Sequence, residues 1–199
     1  MGQVIVIMST TLDGVIQAPG RSDEDQRGGF AQGGWAGRYH DQVAAEEAGK
    51  GMAKPGAMLF GRRTYQDFHA VWPAREGDGN PFSDYMNRRR KYVVSRTLSE
   101  PLPWVNSTLL KGEAAETVAR LKKESEEDLV VLGSGNLVRT LLRHGLVDRL
   151  SLSIHPLVLG TGQRLFAEDD TFADLRLVSC TPTTTGVIMA VYEPIGGSA

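Results

Sequence analysis

The stretch from Asp128 to Val138, which reads DLVVLGSGNLV, decides the fold. Its apolar run Leu129–Leu132 is typical of a short buried strand. The run ends at the turn Gly133–Asn136, and apolar residues then recur at helical spacing. A strand, a glycine turn and a helix in this order form a cradle for an anion, because glycines let the backbone approach it and the first N–H groups of the helix point at it. The stretch therefore predicts an α/β domain with a phosphate-binding site.

The same turn also has a simpler interpretation, a tight strand-to-helix connection that binds nothing. A full dinucleotide fingerprint places a third glycine where this chain has Val138. Support for a ligand must therefore come from elsewhere in the chain.

The composition limits the classes of protein to which this chain can belong. The 199 residues suit a single domain spanning 1–199, with 41% hydrophobic and 23% charged residues as in ordinary globular proteins. The net charge of −2 argues against nucleic acid as a partner, which usually requires a basic face. One cysteine, Cys180, excludes an internal disulfide and disfavours a zinc site; we expect a buried structural thiol there and no metal. The apolar run Val4–Met8 is too short for a signal peptide or a membrane span, so we expect a cytoplasmic protein.

Further along the chain, buried strands alternate with helices and a hairpin follows. This order predicts a three-layer αβα fold whose mixed, mostly parallel sheet ends in an antiparallel C-terminal edge. The polar segment Ser22–Gly34 is interpreted as a mobile loop that closes over a site or is simply disordered, and Arg88–Lys91 as a solvated helix end. The predicted strands are Gln3–Ser9, Ala57–Phe60, Tyr92–Ser95, Leu129–Leu132, Leu150–His155, Leu175–Thr181 and Val187–Tyr192, and helical patterns cover Trp35–Met52, Tyr65–Trp72 and Glu113–Glu126.

Three predicted strands end in small or cationic residues. The clusters are Gly61-Arg62-Arg63-Thr64, Ser95-Arg96-Thr97 and Gly133-Ser134-Gly135-Asn136. The carboxyl ends of parallel strands share one edge of the sheet, where ligands bind, and arginine recognises phosphate with paired hydrogen bonds. A dinucleotide with a 2′-phosphate would satisfy all three clusters, and no acidic residue for a free ribose hydroxyl stands out near them. This favours NADPH over NADH, although each arginine alone is equally well explained as a surface charge and Thr64 as a helix N-cap.

These segments resemble the dihydrofolate reductase superfamily, and more closely the reductase domain of riboflavin biosynthesis and its stand-alone relatives. The resemblance implies a mixed sheet that binds NADPH. It also implies a homodimer. The matching segments are Ser9–Ile16, Leu59–Tyr65, Val93–Arg96, Val131–Leu137, Asp148–Leu150 and Gly160–Gly162.

The resemblance also implies residue roles. The segment Gly61–Thr64 would hold cofactor phosphates, Ser95 and Arg96 would reach the adenosine side and its 2′-phosphate, and Gly133–Leu137 would hold the pyrophosphate. The turn Asp13-Gly14 would lie near the nicotinamide and the substrate ring.

Two further residues are candidates for the substrate side. Trp35 followed six residues later by Asp41 loosely resembles the acidic site of folate reductases, with different spacing and flanks. Asp13 and Asp41 are the candidate catalytic acids, with Gly14 and Trp35 as substrate-binding residues. Asp41 is also explained as a solvated helix acid, and Trp35 as a core or loop anchor.

The resulting hypothesis is hydride transfer from NADPH to a small heterocyclic substrate, of the 5-amino-6-(5-phosphoribosylamino)uracil reductase type. The alternatives are a dihydrofolate or pterin reductase and a non-catalytic nucleotide-binding protein. The zinc-ligand pattern of the deaminase that accompanies the bifunctional riboflavin enzymes is absent from the sequence, which excludes deamination.

Overall fold

The computed structural model describes residues 2–166 and 172–195. The described strands are β1 (Val4–Thr11), β2 (Ala57–Gly61), β3 (Lys91–Ser95), β4 (Ser107–Lys111), β5 (Leu129–Val131), β6 (Arg149–His155), β7 (Leu175–Pro182) and β8 (Ile188–Pro194). The described α-helices are α1 (Gln42–Ala53), α2 (Arg62–His69), α3 (Pro81–Arg88), α4 (Ala114–Glu124) and α5 (Gly135–Arg143).

All of these strands belong to one sheet in the order β4-β3-β2-β5-β1-β6-β8-β7. From β4 to β6 every neighbouring pair is parallel. The pairs β6–β8 and β8–β7 are antiparallel. The structure therefore confirms the predicted mixed α/β sheet with an antiparallel C-terminal edge.

The sheet has an apolar core on each face, because successive side chains of a buried strand point to opposite sides. Every residue of β2 is buried, and its side chains alternate between the two cores. Leu59 packs in the core beneath α4 and α5, whereas Phe60 packs with Met86 and Trp104 in the core beneath α2 and α3. Helices on both faces hold the strand ends in fixed positions, on which the candidate site depends.

Strand β4 was not predicted from the sequence. It lies at the edge of the sheet, where β3 is its single partner among the described strands, and none of its residues is fully buried. Its sequence, STLLK, lacks the continuous apolar run that marks a buried strand. Its position adds a fourth parallel strand end beside β3, which matters for the site.

Helix α1 begins later than predicted. Residues 37–39 form a separate 3₁₀ turn, and the helix begins after Asp41, whose carboxylate accepts a hydrogen bond from the backbone N–H of Ala44 at 2.8 Å. The preceding residues have a helical composition, but this N-cap fixes the start of the helix after Asp41.

Two predictions about single side chains were wrong. Cys180 is exposed, because β7 is the outer edge strand of the sheet and most of its residues face solvent. Lys91 is not a solvated charge but fully buried. Its ammonium group donates hydrogen bonds to the carbonyls of Asn87, Arg89 and Val105, and burial lowers its pKa to about 8.

The segment Ser22–Gly34 is held in place by specific contacts. The Arg27 guanidinium contacts the carboxylates of Asp25 and Asp67 at 2.6 Å each, and Asp67 lies on α2. The side chain of Gln17 donates to the carbonyl of Arg27 at 2.9 Å. These contacts join the loop to the helix that follows β2. In the ranges 2–166 and 172–195, no helix has the length and apolar character needed to cross a membrane.

Candidate functional site

The three predicted strand-end clusters lie along one edge of the sheet. Strands β3, β2 and β5 are consecutive and parallel, so the residues that follow them meet at their carboxyl ends. The Gly61 N–H donates to the carbonyl of Gly133 at 3.3 Å. Residues more than seventy positions apart in the sequence thus meet in one continuous wall, which borders the crevice expected at the carboxyl ends of the parallel strands.

Glycine is required at this wall because the backbones and side chains are in close contact. A Cβ on Gly133 would lie 2.9 Å from Thr64 Oγ1, and its φ of +136° is unfavourable for other residues. A Cβ on Gly61 would collide with the Ser134 hydroxyl. Thr64 is the third residue of α2 and therefore not its N-cap; its hydroxyl faces the glycine turn instead.

Two helices begin at this wall with unused backbone donors. Gly61 is the N-cap of α2 and Ser134 is the N-cap of α5, and within the described residues neither helix has a side-chain cap. The first N–H groups of a helix have no partner inside the helix and carry a partial positive charge. Two such helix starts side by side present backbone N–H donors suited to an anion with more than one charged group.

The first turn of α2 carries the wrong charge for an isolated helix. Arg62 and Arg63 open it, although cations are unfavourable at a helix N-terminus. Arg63 is exposed, and Arg62 contacts only the side chain of Gln66 at 3.2 Å among the contacts of the described residues. A local cost of this kind is expected where the charge serves a ligand rather than the helix.

The end of β3 differs from the prediction in one important respect. Arg96 is paired with Glu113 at 3.1 Å, and both side chains are exposed, at 74% and 64%. The expectation that no acidic residue lies near the strand ends was wrong, because Glu113 follows the unpredicted strand β4. The acid therefore stands beside the arginine proposed to select the cofactor.

Ser95 and Thr97 have different surroundings. The Ser95 hydroxyl accepts hydrogen bonds from the N–H groups of Thr97 and Leu98 at 3.1 and 3.0 Å, so it shapes the turn after β3. Thr97 is exposed at that turn. Ser95 thus contributes to the site by placing its neighbours.

At the start of α5, backbone and side chains have separate roles. Leu137 is buried in the core and offers only its backbone to the crevice. The Asn136 side chain contacts the Arg139 guanidinium. Gly135 lies against Ile16, whose Cδ1 would be 2.5 Å from an added Cβ. The loop after β1 therefore touches the glycine turn directly.

Asp13 lies in that loop and its carboxylate is fully engaged. It accepts hydrogen bonds from the Thr11 hydroxyl at 2.6 Å and from the N–H groups of Leu159 and Gly160 at 3.2 and 2.8 Å. The Thr11 hydroxyl bond, aided by the backbone donors, lowers the pKa of Asp13 to about 2. The neighbouring Gly14 has a φ of +81° and completes the turn. Asp13 is thus an ionised anchor that ties the loops after β1 and β6 together.

Trp35 is also an anchor. Its side chain is 6% exposed, and Nε1 donates to the carbonyl of Gln17 at 2.8 Å. The ring packs edge-on against His155 with the centroids 5.1 Å apart. This arrangement matches the alternative role of a loop anchor and leaves no ring face open for stacking on a substrate.

Asp41 connects two distant parts of the chain. Besides capping α1, its carboxylate accepts from the N–H and hydroxyl groups of Thr184 at 2.7 and 2.9 Å. The bond from the Ala44 N–H, followed by those from Thr184, lowers the pKa of Asp41. Asp41 therefore fixes α1 to the turn between β7 and β8.

One buried titratable residue at this end of the sheet, His155, was not among the candidate site residues. His155 ends β6 opposite Thr11 and is buried, and its Nδ1 lies 3.0 Å from the carbonyl of Ser153. Burial lowers the pKa of its imidazole. In the sequence it shares one strand face with Ser151 and Ser153, and in the fold the Trp35 ring packs against it.

Comparisons with known proteins agree with this geometry. A family model described as the RibD C-terminal domain matches residues 3–189. The uncharacterized protein YyaP of Bacillus subtilis (strain 168) is 31% identical over 141 residues, covering 68% of this chain and 72% of that protein.

Solved structures show the same fold at low sequence identity. One of them is a protein from Shewanella sp. PV-4 that is named as a riboflavin biosynthesis protein. It has a TM-score of 0.67 and 20% identity, and the match covers 98% of this chain and 100% of that one. Dihydrofolate reductase from Enterococcus faecalis, solved with NADP(H), has a TM-score of 0.62 and 15% identity, over 98% of each chain. Acinetobacter baumannii RibD has a TM-score of 0.62 and 16% identity, over 98% of this chain and 58% of that one.

Proposed function

The chain belongs to the RibD C-terminal domain family, and on that premise we propose that it is an NADPH-dependent reductase of a pyrimidine- or pterin-type small molecule. The first candidate substrate class is a ribosylamino-pyrimidine phosphate, as for 5-amino-6-(5-phosphoribosylamino)uracil reductases. One observation carries the proposal: the glycine turn Gly133–Asn136 and the segment Gly61–Thr64 meet in one wall with two uncapped helix starts.

The residues present fit a dinucleotide phosphate. Gly133 and Gly61 leave no room for a Cβ, so the wall brings backbone N–H groups close to any bound anion. Arg62 and Arg63 add positive charge at the start of α2, and Arg96 lies one strand further along the same edge. A cofactor bound along this edge would place its pyrophosphate at the two helix starts and a 2′-phosphate near Arg96.

The cofactor supplies the hydride, and the protein supplies position and exclusion of water. The loop after β1 touches the glycine turn through Ile16, so it lies beside the bound cofactor. Asp13 holds that loop to the loop after β6 and, with its pKa of about 2, stays ionised at neutral pH. We assign Asp13 a positioning role in catalysis rather than that of a proton donor.

The alternative of a pterin reductase requires a buried acid that protonates the ring. Among the described residues, the two candidate acids are both engaged: Asp13 with the loop after β6, and Asp41 with Thr184 and the start of α1. These contacts favour the pyrimidine class. The other alternative, a nucleotide-binding protein without catalysis, differs from the proposal only in turnover.

We also propose that the protein is a homodimer. Ile7 lies in β1, inside the sheet, yet is 40% exposed, and the register places Ser151 of β6 beside it. Arg149 and Arg176 both contact Glu193 at this end of the sheet, so these charges already have a partner within the chain. Sedimentation should give a dimer for the wild type and a monomer for Ile7→Glu; a monomeric wild type would refute the proposal.

Thermal unfolding in the presence of NADPH or NADH tests the cofactor. A ligand at 100 times its Kd stabilises the folded state by about 2.7 kcal/mol. We expect a clear shift with NADPH, a smaller one with NADH, and loss of the difference in Arg96→Ala. No shift with either dinucleotide would refute the proposal. Loss of NADPH absorbance over a panel of pyrimidine and pterin substrates then separates the substrate classes from the non-catalytic alternative.

A further inference from the structure

A cavity of about 620 Å³ lies at the edge of the sheet opposite the glycine turn. Its lining includes Gly56, Arg90 and Glu127, which precede β2, β3 and β5, and Ser107, which begins β4. Because these strands are parallel, and β2, β3 and β4 are each about 17 Å long, this edge is separated from the crevice by the length of the strands. The volume is within the usual range for small-molecule sites.

Three consecutive arginines line the cavity, and they differ in how firmly the fold holds their side chains. Arg89 is committed to the fold, since its guanidinium donates to the carbonyls of Met52 and Lys54 at 2.9 Å each. Arg88 and Arg90 have exposed side chains, at 79% and 58%. Both are thus able to turn towards a ligand.

The ion pairs that these two arginines form with acidic side chains are long and exposed. Arg88 lies 3.5 Å from Asp84, and Arg90 lies 3.5 Å from Glu127. Exposed ion pairs of this kind contribute little to stability, so an anion of higher charge density can replace them. The buried ammonium of Lys91 adds positive charge behind the cavity, where it donates to the carbonyl of the lining residue Val105.

An unpaired hydroxyl lines the same cavity. The Oγ atom of Ser107 is inaccessible to solvent and has no hydrogen-bond partner within residues 2–166 and 172–195. A buried polar group without a partner is uncommon in folded proteins and calls for an explanation. A hydrogen-bonding group of a ligand would supply the partner, and this observation is independent of the arginines.

We propose that this cavity is a second anion site that binds a phosphorylated small molecule. The phosphate lies between Arg88 and Arg90, whose guanidinium groups match its oxygens in charge and geometry. An oxygen of the ligand pairs with the Ser107 hydroxyl once the Ser107 side chain rotates about its Cα–Cβ bond towards the cavity. The site requires none of the residues of the crevice at the other edge. It can therefore be tested independently of the reductase proposal.

The test is a ¹H–¹⁵N NMR titration of the whole chain with inorganic pyrophosphate, phosphate and ADP in separate arms. We expect saturable shifts of the amides of Arg90, Asn106 and Ser107 with pyrophosphate. The double variant Arg88→Ala/Arg90→Ala should weaken this response at least tenfold. Stronger shifts with ADP than with pyrophosphate would identify a nucleotide as the ligand, and equal shifts a free phosphate compound.

Matched variants separate the two edges. Arg62→Ala/Arg63→Ala removes as much charge from the crevice and should leave the shifts at Ser107 unchanged. Ser107→Ala should weaken pyrophosphate binding without unfolding the protein, because it removes only an unpaired hydroxyl. Shifts confined to the crevice, or an unchanged affinity in Arg88→Ala/Arg90→Ala, would overturn the proposal.

Discussion

The glycine turn after β5 and the Asp13 loop after β1 were both predicted to contact ligand, and their polar groups are used in opposite ways. At the turn, two helices begin without side-chain caps within the described residues. At the loop, the Asp13 carboxylate is occupied by Thr11, Leu159 and Gly160. Unused donors indicate a surface prepared for a ligand, whereas satisfied acceptors indicate a part that holds such a surface in place.

The largest effect expected from this comparison is that of Gly133→Ala. The new methyl group would lie against Thr64 and the residue would keep an unfavourable φ of +136°, so the wall must shift. We expect NADPH affinity to fall at least about 100-fold, since close backbone approach to the phosphate is lost. Gly79→Ala is the control, because its φ is also positive, at +79°, but open space surrounds it. Equal NADPH affinity in both variants would contradict the assignment of the turn.

Asp13→Ala should have the next largest effect. Removing the carboxylate leaves the N–H groups of Leu159 and Gly160 without their acceptor, at a cost of about 2 kcal/mol in the free energy of unfolding. Because both loops lose their link, kcat should fall as well. Denaturant unfolding and steady-state kinetics measure the two effects.

The pH dependence distinguishes anchoring from proton donation by Asp13. Its folded-state pKa is about 2, lowered from 3.8, so its contribution to stability is complete above about pH 4 and is lost as the pH falls towards 2. Between pH 5 and 9, any titration seen in kcat should persist in Asp13→Asn. An acid-side kcat titration that disappears in this variant would show that Asp13 donates the proton.

Asp41→Ala should lower the thermal midpoint by about 3 °C, through loss of the cap of α1 and of the link to Thr184. Asp41→Asn keeps a capping oxygen and should recover part of the loss. The Kd of NADPH should stay the same in both variants. A large rise in that Kd would place Asp41 at the cofactor instead.

The smallest effect is expected for Glu113→Gln. The substitution releases Arg96 from an exposed ion pair of little energetic weight, so NADPH should bind up to about fivefold more tightly while NADH binding stays unchanged or weakens. Isothermal titration with both dinucleotides measures the ratio. Weaker binding of NADPH in Glu113→Gln would mean that the pair itself, rather than free Arg96, recognises the cofactor.

Short-range patterns predicted most of the fold. The apolar run before Gly133 and the alternation of strands with helices were sufficient for the parallel sheet and its glycine wall. Strand β4 was not predicted because an edge strand needs no apolar run. The position of Glu113 beside Arg96 was missed for the same reason, since Glu113 follows β4. The burial of Lys91 was not predicted because its three carbonyl partners lie in different segments: the end of α3, the residue after α3 and the loop before β4.

The sequence by itself determined which segments form strands and helices and where glycine must stand, because backbone conformation and side-chain periodicity are local properties. Only the tertiary structure decided which polar groups remain unused. One partner of Asp13, the N–H group of Leu159, lies 146 residues away in the sequence, and one partner of Asp41, Thr184, lies 143 residues away. Such pairings depend on strand order, which brings distant loops to one edge and leaves the donors at the glycine turn open.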